Sequence, residues 1–165
     1  GFVDRVVNGW ELAGVLLFQT GPFMTVSQLN DPCGCGYNVF SSTGGRADTV
    51  PGVNPYAGQS IGQWINPAAF ATPPNNIGRF GDASAGDVVG PGTEAVSMSL
   101  IKSVQIRESA RAQVGVQVAN LFNHPNFAAP QNLTLGVAGF GQLTALQSAE
   151  GAGPRQIQLT ARITF

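Results

Sequence analysis

Polar and apolar residues alternate without interruption along the end of the chain, residues 155–165. Every second position is apolar: Ile157, Leu159, Ala161, Ile163 and Phe165. The positions between them are polar: Gln156, Gln158, Thr160, Arg162 and Thr164. Successive side chains of a strand point to opposite faces, so this pattern predicts a strand with one apolar and one polar face. Such a segment fits a tilted membrane-crossing strand, and it also fits an amphipathic strand of a soluble antiparallel sheet.

The same alternation predicts two more strands, over 93–106 and 110–122, joined by a short charged turn at 107–109. In the second strand, Val114, Val116 and Val118 share one face, and Arg111, Gln113 and Gln117 share the other. In the first strand, the apolar face is Val96, Met98, Leu100, Val104 and Ile106, and Lys102 interrupts it. The two strands are therefore expected to form a hairpin.

A fourth strand is predicted over 9–28, directly after the dipeptide Asn8-Gly9, which favours a hairpin turn. Trp10, Leu12, Leu16 and Phe18 share its apolar face. Thr20-Gly21-Pro22 is expected to break or bend this strand, because proline cannot donate a backbone hydrogen bond, and residues 23–28 are expected to continue it beyond a bend.

Two long segments, 29–92 and 123–154, lack a sustained period and are expected to be loops. Within the first, residues 63–70 predict a short helical turn and residues 79–82 a tight turn. The tight turns at 8–9 and 107–109 fall on one side of the strands, and the long loops fall on the other. That sorting is typical of bacterial outer-membrane barrels, and a soluble sandwich has no reason to show it. We therefore predict one all-β domain over 1–165, a segment of an antiparallel transmembrane β-barrel.

Composition agrees with strands joined by loops, since the chain has 22 Gly, 11 Pro and only 10% charged residues. A net charge of −1 supplies no basic patch, so nucleic acid is not an expected partner. The sequence contains no run of eighteen apolar residues, so it predicts no transmembrane helix. Because the chain begins at Gly1 without a signal-peptide pattern, we expect it to be either a piece of a longer protein or a processed product.

Candidate chemistry is sparse. A metal site needs about four ligands, and Cys33 and Cys35 have a single histidine, His124, far along the chain. A disulfide between residues two apart would be strained, so a Gly-rich loop with two unpaired thiols is the favoured interpretation. His124 has no recognisable nucleophile and acid partners, and no carboxylate pair stands out. We expect neither an enzyme nor a bound cofactor.

Five segments resemble a known family: 7–15 (VNGWELAGV), 19–23 (QTGPF), 66–70 (NPAAF), 119–127 (ANLFNHPNF) and the terminal 162–165 (RITF). They resemble the C-terminal part of TonB-dependent outer-membrane receptors. The likeness is to the Oar-like group in particular, whose N-terminus carries a carboxypeptidase-regulatory-like domain. It runs over nearly the whole chain, although no plug and no TonB-contacting segment is present in these 165 residues.

The resemblance implies a 22-stranded barrel with an internal plug, of which this chain would supply the last four or so strands. It also implies uptake of a substrate across the bacterial outer membrane, powered through TonB. The implied partners are outer-membrane lipid, the barrel-assembly machinery, TonB acting through the plug, and a transported ligand of unknown class. The remaining alternative is a non-transporting surface β-protein, either an adhesin-like barrel or a soluble sandwich.

Three sets of residues receive roles on this interpretation. The expected membrane-facing residues are Val114, Val116, Val118, Ile157, Leu159, Ala161 and Ile163. Trp10, Phe18 and Phe122 are the expected aromatics of the membrane interface, and the terminal Phe165 is the expected assembly signal. The polar residues Arg111, Gln113, Gln117, Gln156, Gln158 and Arg162 are expected to face the barrel interior.

Overall fold

A computed structural model describes residues 2–36, 45–107, 109–148 and 151–165. The chain divides into two compact units. The first, here called the sheet unit, comprises Gly1–Gln19, Thr93–Asn126 and Leu146–Phe165. The second, the loop unit, comprises Thr20–Gly92 and Phe127–Ala145. The two long loops of the sequence thus contribute to one unit of their own.

The described residues form one short helix, α1 (Phe2–Val7), and eight strands. In chain order the strands are β1 (Trp10–Gln19), β2 (Phe23–Met24), β3 (Asp48–Thr49), β4 (Phe70–Ala71), β5 (Val88–Val89), β6 (Thr93–Arg107), β7 (Ala110–Ala119) and β8 (Gln156–Thr164). The sheet unit contains the four long ones, in an antiparallel sheet with the order β1-β6-β7-β8. The predicted all-β antiparallel architecture is confirmed. The sheet is open, with β1 and β8 at its two edges.

Two strands end earlier than the sequence pattern predicted. β1 stops at Gln19 and does not run to residue 28. Pro22 lacks the backbone N–H that continued strand pairing would use. Gly21 lies so close to Gly90 that a Cβ at position 21 would be 1.9 Å from the Gly90 carbonyl oxygen, so the chain here packs against residue 90. β7 stops at Ala119 and does not reach residue 122, because Asn120 turns the chain with a φ of 50°.

Asn8-Gly9 does not form the expected hairpin turn, because the segment before β1 is the helix α1. Gly9 has a φ of 82°, the left-handed conformation that commonly ends a helix. Its backbone also lies against β6, since a Cβ at this position would be 2.3 Å from the oxygen of Ser103. The Ser103 N–H donates to the Gly9 carbonyl at 2.8 Å, so the position requires glycine.

The predicted hairpin of β6 and β7 is confirmed, with a register shift between Gln105 and Arg107. An extra residue at this position is a β-bulge, which displaces Ile106 from the regular pairing. Glu108, part of the predicted turn, lies outside the described residues.

The described residues of 29–92 and 123–154 are largely loop, as the missing period predicted, but the loop unit nevertheless has a hydrophobic core. Two small antiparallel pairs, β2 with β5 and β3 with β4, lie within it. The predicted helical turn is present as a 3-10 helix, Pro67–Ala69, capped by the Asn66 side chain. The buried core comprises Val26, Ala47, Ile65, Ala69, Phe70, Ala83, Val88 and Leu135. In the part of the chain described, no helix has the length and apolar character needed to span a membrane.

Candidate membrane-facing surface

The predicted membrane-facing residues of β7 and β8 are direct cross-strand neighbours. Val114 pairs with Ala161, Val116 with Leu159, and Val118 with Ile157. Residues paired across neighbouring strands lie on the same face of a sheet. The structure therefore places the two predicted sets on one surface.

That surface extends across all four strands. Leu100 of β6 lies opposite Val116 on one side and opposite Leu12 of β1 on the other. We call this surface the apolar face, and its members are Trp10, Leu12, Leu16, Phe18, Val96, Met98, Leu100, Val114, Val116, Val118, Ile157, Leu159, Ala161 and Ile163. Many of its side chains are open to the surroundings, and Leu159 is 79% exposed. An exposed apolar surface this broad is characteristic of a face that contacts lipid or a partner.

The opposite surface is polar over β6, β7 and β8. The predicted interior residues of β7 and β8 pair with one another here, Gln117 with Gln158 and Gln113 with Arg162. The Gln113 side chain also donates to the Ser103 hydroxyl at 3.1 Å. A groove of about 250 Å³ on this side is lined by polar residues such as Ser97 and Gln117 and also by Ala13, Val15 and Ala119. Over β7 and β8 the two surfaces thus separate apolar from polar side chains as a barrel wall between lipid and water requires, whereas on β1 the second surface also carries Val15 and Leu17.

Aromatic side chains stand near the two ends of the apolar face. Trp10 begins β1, and Phe18 lies one residue before its end. The eight-residue step between them spans about 27 Å along a strand, or about 21 Å across a bilayer at a tilt of about 40°. That height is close to the apolar band of about 25 Å in outer-membrane barrels. Phe122, the third predicted interface aromatic, lies beyond the end of β7 and is 74% exposed.

Lys102 lies on the apolar face opposite Trp10, and it is buried there. Its Nζ donates to the carbonyl oxygen of Val6 at 2.9 Å and also to that of Asn8. The ammonium lies 4.9 Å from the centre of the Trp10 ring, a cation–π distance, and the Trp10 indole N–H donates to the same Val6 oxygen. The carbonyls at the end of α1 carry partial negative charge, which stabilises the cation. The sequence pattern identified Lys102 as an interruption but did not predict its partners.

Two buried asparagines, which sequence reasoning did not single out individually, hold the segment that follows β7. The Asn120 amide donates to the carbonyls of His124 and Gly153, both at 2.8 Å, and its oxygen accepts the His124 N–H. The Asn126 oxygen accepts the N–H of Glu94 at 2.7 Å, and its amide donates to the Ala152 carbonyl. We call Asn120 and Asn126 the asparagine clamp. Both lie in segment 119–127. The signal available in the sequence was the presence of two asparagines close together directly after a predicted strand.

His124 has no catalytic constellation among the described residues. Its ring Nδ1 lies 3.3 Å from the Asn126 amide oxygen, and its backbone is bonded to Asn120. The chemistry available here is hydrogen bonding that orders a turn.

The favoured interpretation of Cys33 and Cys35 as unpaired thiols is wrong, because the structure joins them in a disulfide. Their Cα atoms are 5.3 Å apart, within the ordinary range for a bridge. The intervening Gly34 makes this possible, because its φ of 69° reverses the chain direction within one residue.

Two acidic groups in the loop unit have opposite electrostatic environments. Arg79 forms a two-pronged ion pair with Asp48, with both N···O distances 2.7 Å, and its hydrogen bond lowers the pKa of Asp48. Asp87 has two buried carboxylate oxygens without a well-formed hydrogen bond to any described residue. Burial raises the pKa of Asp87, because desolvation disfavours the charged carboxylate.

A family model described as an outer membrane beta barrel domain matches residues 1–158. The chain belongs to this family. Membership places this barrel domain in the bacterial outer membrane, as the strand pattern and loop lengths predicted. No curated protein and no solved structure matches the chain significantly.

Proposed function

We propose that this outer membrane barrel domain is part of a TonB-dependent receptor that takes up a substrate across the outer membrane. Its contribution is a section of barrel wall together with the loop unit. The observation that carries the proposal is segment 119–127, ANLFNHPNF, which resembles the receptor family and contains the asparagine clamp. The order of strands and long excursions in the remaining chain is consistent with it.

In this proposal the apolar face contacts outer-membrane lipid. The opposite surface, here called the polar face, which carries Gln113, Gln117, Gln158 and Arg162, lines the barrel interior. The exposed edges β1 and β8 pair with strands contributed by the remainder of the receptor. Lipid cannot satisfy the free backbone N–H and C=O groups of an open edge, so closure by further strands is a physical requirement. The family resemblance suggests 22 strands in the closed barrel.

The partners follow from the same assignment. TonB acts through a plug domain outside these residues, and the barrel-assembly machinery reads the terminal Phe165, which is 92% exposed. This proposal gives the chain no catalytic role and, with a net charge of −1, no nucleic-acid partner.

A growth competition tests the transport function. A strain lacking the full-length gene is grown against its parent on iron chelates, oligosaccharides or peptides as limiting nutrients. A defect on one nutrient class, reproduced by inactivating TonB, supports the proposal. A defect that persists unchanged when TonB is inactivated in both strains contradicts it.

The loop unit is proposed to face the cell exterior and to contact the ligand or another partner. An epitope tag inserted next to Gly58 tests this, because this glycine lies in a turn and a Cβ there would meet no atom within 4 Å. We expect antibody to label the tag on intact cells. A tag reached only after permeabilisation would invert the proposed topology.

One observation favours a second candidate, a non-transporting surface β-protein such as an adhesin-like barrel. The loop unit has its own buried core, which suits a segment that presents a fixed surface to a partner. Loss of surface attachment without any nutrient defect in the deletion strain would favour this alternative.

A further inference from the structure

The loop at residues 31–36 brings three potential metal ligands together. The Asp31 carboxylate, the Cys33 Sγ and the Cys35 Sγ all lie within 4.8 Å of one another. Cys35 is exposed and Cys33 is half-buried, so the group is accessible from solvent. Two sulfur atoms and one carboxylate form a donor set that suits thiophilic ions such as Zn²⁺.

Hydrogen bonds to residues 75–77 hold the start of this loop independently of the disulfide. The Asp31 N–H donates to the Asn75 side-chain oxygen at 2.7 Å, and the Asn76 N–H donates to the Asp31 carbonyl at 2.9 Å. The Ile77 N–H donates to the Pro32 carbonyl at 2.8 Å. These bonds tie residues 31 and 32 to residues 75–77, so the position of the Asp31 ligand does not depend on the sulfur–sulfur bond.

The Asp31 carboxylate is already oriented toward the two cysteines. It accepts the N–H of Cys35 at 3.2 Å and the N–H of Gly36 at 2.8 Å, and one of its oxygens lies 3.2 Å from the Cys33 sulfur. Gly34 and Gly36 have φ values of 69° and 74°, which wrap the backbone around the carboxylate. A carboxylate held in this way loses little freedom on binding an ion.

The disulfide contributes little as a staple of the fold. It closes a loop of only three residues, and the stabilisation expected from a disulfide decreases as the closed loop becomes shorter. An exposed disulfide is also among those that thiols attack readily. Opening the bond therefore changes the local chemistry without removing a major support.

We propose that the reduced loop binds a thiophilic metal ion through the Cys33 and Cys35 thiolates and the Asp31 carboxylate. An external dithiol supplies two electrons and two protons to the disulfide and becomes a disulfide itself. The ion then displaces both thiol protons and takes the two thiolates as ligands. Three protein ligands leave the fourth position of a tetrahedral ion open to water or to an external ligand. The loop thus has an oxidised state that excludes the ion and a reduced state that binds it.

Titration of the full-length protein in detergent with Zn²⁺ tests the proposal. The protein is reduced with dithiothreitol, freed of it by gel filtration under argon, and compared with protein left oxidised. We expect reduction to add one Zn²⁺ site per chain, and Co²⁺ at this site to give a thiolate charge-transfer band. The double variant Cys33→Ser/Cys35→Ser should lose that site under reducing conditions, which also separates it from cysteines elsewhere in the protein.

Asp31→Asn retains an oxygen that can accept the loop N–H groups while removing the carboxylate. It should weaken Zn²⁺ binding about 10-fold or more, since even the partners of metal ligands contribute that much. Glu94→Gln, which removes a carboxylate from the start of β6, is the matched control and should leave affinity unchanged. Absence of a reduction-dependent site, its survival in the serine variant, or unaltered affinity in Asp31→Asn would each overturn the proposal.

Discussion

Asn120 combines two functions that few other residues could supply together. Its backbone adopts a φ of 50°, which asparagine tolerates better than most side chains, and it is only 1% exposed. Its side chain satisfies the carbonyls of His124 and Gly153 and the N–H of His124. Buried backbone groups without such partners destabilise a fold, so the asparagine clamp determines how the chain leaves β7 and approaches β8.

Replacing Asn120 with alanine should lower the free energy of unfolding by about 3 kcal/mol, because three buried hydrogen bonds are lost together. Asn123→Ala is the control, since Asn123 has a similar φ of 53° but is exposed, and its oxygen accepts one N–H, that of Arg155. We expect it to cost about 1 kcal/mol. Guanidinium unfolding of the full-length protein in lipid vesicles measures the free energy of unfolding of both variants. Equal losses of stability would show that the Asn120 side chain gives no more support than an exposed asparagine.

The buried Asp87 carboxylate is expected to make the stability of the loop unit depend on pH, and burial determines the sign of the effect. Because its pKa is raised in the folded state, ionised Asp87 destabilises the loop unit at neutral pH. That penalty decreases as pH falls through the raised pKa and is absent below the unfolded value of about 3.9. Asp87→Asn should therefore increase hydrogen-exchange protection in the loop unit at pH 7, with the difference vanishing near pH 4.

Asp48→Asn is the matched control with the opposite sign. Arg79 lowers the pKa of Asp48, so the ion pair stabilises the fold above the unfolded pKa and is lost as pH falls through the folded value. This variant should reduce protection at pH 7. If Asp87→Asn also reduced protection at pH 7, the assignment of Asp87 as a destabilising buried charge would be wrong.

At the scale of elements, a period of two identified every long strand and the residues that share a face within β7 and β8. The predicted starts of β6, β7 and β8 agree within one residue with the observed ones. Alternation could not predict where β1 ends, because that depends on the close approach of Gly21 to Gly90, which is distant in sequence. Helix α1 was missed for a related reason, since its Val6 carbonyl accepts hydrogen bonds from Lys102, which is distant in sequence, and from Trp10.

Arginine substitutions along β8 test which face contacts lipid. Leu159→Arg or Ala161→Arg should impair membrane insertion by about 2–4 kcal/mol if these residues lie near the bilayer midplane. Gln158→Arg and Thr160→Arg are the matched controls on the polar face and should have milder effects. The readout is the amount of folded full-length protein in the outer membrane, and equal damage from both faces would contradict the assignment.

In the same assay, deleting Phe165 should lower the amount of full-length protein in the outer membrane. An unchanged amount would contradict the assignment of Phe165 as an assembly signal.

At the scale of the whole molecule, the sequence predicted the sheet but not the loop unit. Its core residues, from Val26 to Leu135, follow no regular spacing, so no period reveals them. Contacts such as the hydrogen bond between Ser27 and Thr134 join positions 107 residues apart. The disulfide was likewise missed because it depends on a single glycine conformation.

Residues 1–165 expressed alone should not give a closed barrel. The four-stranded sheet leaves β1 and β8 unpaired, and the smallest membrane barrels have about eight strands. In water, the apolar face and both edges would favour association. Refolding in detergent followed by light scattering and proteolysis checks this, with the full-length protein as control. A monodisperse, protease-resistant monomer that unfolds sharply would favour the soluble sandwich.

The two excursions from the sheet share one core, since Leu135 from the second packs among residues of the first. The parallel bridge between Ser27 and Thr134 joins them again. Neither excursion is therefore an independent module for transplantation. Grafting residues 20–92 onto a related barrel without residues 127–145 would leave a cavity at Leu135, and a chimaera that is to retain its binding specificity must exchange both segments together.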